Sequence, residues 1–160
     1  MQLITALHEK SRHLARMQGN LLFSQNRVQR WWKVETPFAN WSEEQLESLA
    51  AFKMRFAELQ DHLAAAMKMI ACIENEDVRT FTYVLNYMEQ IELLDDMQHW
   101  QQVRDLRNAA THDYSEGDDE KSRHFDLLLQ STAYLLDVLK NLNDFVLKHY
   151  GQGAGTKEET

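Results

Sequence analysis

One proline and five glycines in 160 residues leave a chain few places to turn. Sheet proteins place turn residues about every eight to twelve positions, so such scarcity points to long helices joined by few loops. The single cysteine, Cys72, rules out an intramolecular disulfide and fits a reducing, cytoplasmic compartment. It lies in the apolar run "MKMIACIE" and reads as a buried, inert thiol. No apolar run reaches the roughly 18 residues of a membrane span, and the opening "MQLITALHEKSRHLARM" has no unbroken apolar stretch of the signal-peptide kind. There is no glycine-rich phosphate loop with its lysine and no H-E-x-x-H pair. No Glu-x-x-His recurs on two helices, as a di-iron bundle requires. Seven histidines yield one lone Asp-x-x-His, Asp96–His99, at a helix start. The sequence therefore points to no metal site and no cofactor.

Charge is unevenly spread. The first 33 residues hold Lys10, Arg12, Arg16, Arg27, Arg30 and Lys33 against Glu9 alone, so the rest is more acidic than the whole chain's −8. Such a segment either faces nucleic acid or docks on an acidic body, its own or a partner's. An acidic body repels phosphate at long range.

Apolar spacing predicts the helices. Leu3, Leu7, Leu14 and Met17 mark a first helix over 2–18, interrupted by Lys10, with "QGN" at 18–20 bending or ending it. Residues 21–40 turn from helix into a connecting loop, and Trp31 and Trp32 there read as packing on the body. Ser42 with Gln45 forms a capping box, with Trp41 and Leu46 placed for a hydrophobic staple. A seam follows at Leu49, Phe52, Phe56, Leu59, Leu63, Ala66, Ile70 and Ile73. A third helix is expected over 77–94 and a fourth over 97–111, with Met97, Trp100, Val103, Leu106 and Ala110 on one face. A long fifth, over 118–149, carries Phe125, Leu128, Thr132, Leu135, Leu139, Leu142 and Val146. The methionines and aromatics at stripe positions read as core. The expected fold is all-α: one up-and-down bundle of about five helices, with the two long ones as its spine. Residues 1–42 form a basic helix and connecting segment, 43–150 the bundle, and 151–160 a disordered tail.

Chemistry concentrates in "RDLRNAATHDYSE", residues 104 to 116. Arg107 and His112 are five residues apart, about 140° of rotation on an ideal helix, so they share a face only if the helix loosens at its last turn. A histidine there is favoured in its protonated form by the helix end. Histidine can take a proton from a hydroxyl or deliver one to a leaving oxygen. Arginine can grip phosphate with two parallel bonds and stabilise charge building on its oxygens. Together they could cleave RNA without a metal, with the 2′-OH as nucleophile. The alternative is plain capping, since Arg and His are favoured in the last turn of any helix.

Residues 43 to 150 resemble the HEPN family, small all-helical domains of prokaryotic defence and toxin–antitoxin systems. The resemblance rests on Arg107, the polar Asn108 directly after it, and His112, an Arg-x4-His motif. "RNAATHDY" also matches the Arg-x4-His-x-Tyr pattern of the subgroup paired with minimal nucleotidyltransferases, through Tyr114. "WQQVRDLRN" and "FTYVLNYMEQIELLDD" are similar to that subgroup as well. The resemblance implies a homodimer with two motifs facing across a cleft, forming one ribonuclease site for an RNA substrate. It implies that Arg107 and His112 are catalytic, that Asn108 positions them, and that Tyr114 is the hydroxyl to which a nucleotidyltransferase antitoxin attaches AMP. A bulky anion two residues from the histidine would block the cleft and repel RNA. Some members of this subgroup are described as nucleotidyltransferase substrate-binding proteins. This gives a second expectation: a non-catalytic helical partner that docks the nucleotidyltransferase. Residues 1–42 fall outside the resemblance, and a basic path for RNA along 1–33 is an expectation of charge alone.

Overall fold

The computed structural model describes residues 2–109 and 117–153, and the architecture below is that of those residues. The elements are α1 (Gln2–Gln29), a short 3-10 turn (Phe38–Asn40), α2 (Glu43–Ile73), α3 (Phe81–Gln90), α4 (Met97–Asn108) and α5 (Asp118–Tyr150). The chain is an all-helical single bundle among these residues, as its few turn formers require.

Three helices are long rather than two. α1 does not end at Gly19. It runs on to Gln29 for 28 residues, beside the 31 of α2 and the 33 of α5. A glycine inside a helix costs only about 1 kcal/mol relative to alanine. Packing outweighs that here, because Leu7, Leu14, Leu21 and Val28 are all fully buried. They recur every seven residues, the repeat that keeps one seam facing a partner helix. Polar positions along α1 find partners on α2. Lys10 Nζ donates to His62 Nδ1 at 2.9 Å. Arg55 donates to Ser24 Oγ at 2.7 Å and to the Asn20 carbonyl at 3.2 Å. These pairs run in opposite senses along the two helices, so α1 and α2 are antiparallel.

Cross-bundle bonds set the remaining directions. His8 Nε2 donates to the Tyr150 carbonyl at 3.2 Å, and Trp32 Nε1 donates to Asp126 Oδ1 at 3.0 Å. α5 is therefore antiparallel to α1 and parallel to α2. α3 first runs down from the level of Ala64 to that of Glu74, and the return is made by α4, which ascends against α2 with Arg107 meeting Asp61. Helices α1, α2, α4 and α5 thus alternate up and down, with α3 as a bridge. α1 packs on α2 and α5 and touches neither α3 nor α4. Its basic residues lie diagonally across the bundle from α4, not along it.

The capping box forms as expected. Gln45 N–H donates to Ser42 Oγ at 3.1 Å, and Ser42 N–H donates to Gln45 Oε1 at 2.8 Å. Trp41 joins an aromatic cluster, 4.8 Å from Trp31 and 5.5 Å from Trp32 between ring centres, while Phe38 stacks on Phe125 at 5.7 Å. The tryptophans are packed on the body.

α3 is shorter than the expected 77–94. At its start, Arg79 N–H and its guanidinium both turn back onto Asp77, which holds residues 77–79 in a turn and leaves Thr80 as the cap. At its end Glu92 adopts φ 59°, and Leu93 and Leu94 both return their N–H groups to the Met88 carbonyl. Those two leucines are buried, so the break itself feeds the core. The α5 stripe from Phe125 to Val146 is buried throughout. Cys72 is half-buried rather than sealed. Met54 is not core either, at 62% exposure. Among the described residues no helix is long and apolar enough to cross a membrane.

Candidate functional site

Arg107 and Asn108 occupy the last turn of α4. The helix stops there, short of the expected residue 111. Ala109 turns to φ −53°, ψ 119°, and its N–H closes onto the Asp105 carbonyl at 2.7 Å. The chain thus leaves the helical path immediately after Asn108, the loosening that an approach of His112 to Arg107 demands. His112 and Tyr114 themselves lie outside the described residues.

The structure adds a partner that the sequence did not reveal. Arg107 Nη1 and Nη2 both donate to the carboxylate of Asp61 on α2, the second at 3.1 Å. The arginine side chain is 19% exposed and the aspartate 61%. A two-pronged Arg–carboxylate pair fixes the plane of the guanidinium as well as its position. It holds the end of α4 against the middle of α2 and aims the arginine. The two residues are 46 positions apart, and no local spacing rule connects them.

Arg107 forms the wall between two clefts. The larger, 420 Å³, lies between Ala50, Lys53, Met54 and Ala57 of α2 and Arg107, Asn108 and Ala109. It is the groove onto which the exposed Met54 opens. The smaller, 170 Å³, lies deeper between α2, α3 and α4 and includes Gln60, Phe81, Trp100 and Arg104.

Lys53 also reaches towards α5. Burial, helped by the Lys53 charge, pushes the half-buried His124 down to about 4. Its ring meets Phe125 edge-on at 5.6 Å, and its Nε2 has no hydrogen-bond partner among the described residues. His124 is therefore neutral in the fold at pH 7. Its unfolded value, near 6.5, is the higher one, so the unfolded state takes up the proton first. The stability tied to this neutral ring is complete above about pH 6.5 and drains away as pH falls towards 4. The midpoint of thermal unfolding should fall between pH 6.5 and 5, before most carboxylates titrate, and His124→Phe should flatten that slope. An unchanged slope in the variant would remove His124 as its source.

The lone Asp96–His99 spacing resolves differently from its sequence appearance. Asp96 caps α4 through the Gln98 N–H at 2.8 Å. His99 pairs with Asp95 at 3.3 Å and stacks on Tyr134 with ring centres 3.8 Å apart. Among the described residues no group of three or more His, Cys, Asp or Glu side chains is placed to hold a metal ion. One further signal was open to sequence reasoning. Gln60 sits between Leu59 and Leu63 at a stripe position of α2, and a polar residue at a core position marks either a defect or a use.

Compared with known proteins, the chain matches no family model, no curated protein and no solved structure.

Proposed function

We propose that this protein is a metal-independent endoribonuclease of the HEPN type, the toxin of a cytoplasmic toxin–antitoxin pair. Two copies would bring two Arg107/His112 motifs to one cleft. His112 would act as general acid or base at the 2′-OH and the leaving oxygen, a role worth roughly 10²–10⁴ in rate. Arg107 would hold the scissile phosphate, and Asn108 would position the pair. A nucleotidyltransferase antitoxin would silence the site by placing AMP on Tyr114. The observation that carries this reading is the end of α4. Arg107 is held in one orientation at the lip of an open cleft, and the helix stops one residue later.

A second reading has its own support. Arg107 is already committed to Asp61, which is what a purely structural arginine would do. On that reading the protein is a non-catalytic helical partner that docks a nucleotidyltransferase.

One experiment separates them. Wild type and His112→Ala are induced in cells, and the purified proteins are incubated with total RNA in EDTA. Growth arrest and RNA cleavage by the wild type alone support the enzyme. Equal growth and intact RNA in both would leave the docking role.

A further inference from the structure

The smaller cleft beside Arg107 contains two buried polar side chains without partners. Gln60 is 1% exposed, and neither Nε2 nor Oε1 has a hydrogen bond among the described residues. Trp100, equally buried, has an unpaired Nε1–H. Leaving such groups unmatched costs about 1–3 kcal/mol each, so they are retained against a penalty. Both line the same 170 Å³ cleft, several times the roughly 30 Å³ share of one liquid water. The half-buried Phe81 ring and the exposed Arg104 line it too, and Arg107 closes the side nearest the proposed catalytic end.

We propose that this cleft is a subsite for one unstacked pyrimidine base. Single-stranded RNA is read by stacking splayed bases on aromatic rings or guanidinium planes and bonding their edges. Phe81 and Arg104 supply the two flat surfaces. Gln60 and Trp100, whose polar atoms lie sealed just behind the cleft wall, would supply two kinds of donor N–H and one acceptor oxygen once the wall yields to a base. The matching edge offers two acceptors and one donor group, which is the inventory of uracil and of cytosine. Adenine offers one acceptor and one donor group on that edge, and guanine one acceptor and two donor groups. The small volume also suits one ring rather than two. Arg107, shared with the larger cleft, would place the phosphate of the same nucleotide at the reacting end. The RNA source of the base rests on the ribonuclease reading, whereas the subsite itself does not. A free pyrimidine nucleotide presents the same edge.

The test is binding by the full chain of uncleavable five-nucleotide 2′-O-methyl RNAs of uridine, cytidine or adenosine, alongside free UMP and AMP. Total-RNA cleavage is scored in parallel. Wild type should prefer both pyrimidine oligomers over the adenosine oligomer by roughly tenfold or more. Stacking alone favours the larger purine ring, so such a preference has to come from the edge. Gln60→Met keeps the length of the side chain but not its amide, and should abolish the preference while retaining salt-sensitive binding. Phe81→Leu, at a less buried position, should weaken every oligomer on the order of tenfold. A preference for UMP without RNA binding or cleavage would keep the subsite and sink the ribonuclease. Cleavage with no base preference would sink the subsite, with water filling the cleft, and keep the ribonuclease. A preference that persists in Gln60→Met also overturns the subsite.

Discussion

Arg107→Lys should reduce RNA cleavage by about 10²–10³, the usual loss when one aimed charge-stabilising donor is removed. Lysine keeps the charge but presents a single point of contact, so it can neither clasp Asp61 with two bonds nor hold a phosphate in a fixed plane. The companion variant, Asp61→Ala, separates aiming from chemistry. It leaves the guanidinium in place without its clasp, next to a half-open cleft. The pair lies between the exposed class, worth up to about 1 kcal/mol, and the buried class, where breaking one partner costs about 3–5. Asp61→Ala should therefore lower stability by about 1–3 kcal/mol and cleavage by less than tenfold. Denaturant titration and initial cleavage rates, measured on the same preparations, give both numbers. If the two variants lose equal stability and neither changes cleavage, the arginine is a structural clasp and the docking reading gains.

Removing residues 1–33 should unfold the protein, an effect far larger than any on the proposed RNA binding. The deletion takes away Leu7, Leu14, Leu21 and Val28, each with no exposed surface. It also uncovers the matching face of α2. One such leucine cut to alanine costs about 2–5 kcal/mol, against a total stability for a domain of about 5–15. The single change Leu14→Ala should thus shift the urea midpoint strongly, and the deletion should abolish the cooperative transition in circular dichroism. A truncated chain that still melted cooperatively near the wild-type temperature would show that α1 is an accessory after all. The charge of the N-terminal segment is better probed by point changes at Arg27 in α1 and Arg30 just beyond it, whose exposed side chains leave the seam intact.

Much of this fold was legible because helix packing writes itself into local spacing. The three-and-four steps of α2 and α5 named their buried faces almost residue by residue, and Ser42 with Gln45 announced the start of α2. The misreadings have physical causes. Gly19 looked like a stop, yet the seven-residue line through Leu21 and Val28 outweighs one weak propensity. Asp77 looked like part of α3, yet its carboxylate captures Arg79 and the Arg79 N–H first. At the candidate site, sequence reasoning reached Arg107 and Asn108 through the motif. It missed Asp61, because that partner depends on which helix faces which, and passed over Gln60, whose polar side chain on the apolar stripe was in plain view. A pairing across 46 residues leaves no periodic trace.

The bond between His8 and the Tyr150 carbonyl has a consequence in time. Those residues are 142 positions apart. At the usual ribosomal pace of about 5–20 residues per second, α1 waits roughly 7–28 seconds for the helix end that it caps. Through that interval α1 and α2 can already zip together, but the α5 surface that covers them has yet to emerge. A nascent chain is therefore a hairpin with one greasy flank bare, a natural client for a holding chaperone, and any activity that depends on the closed bundle begins only after α5 has emerged.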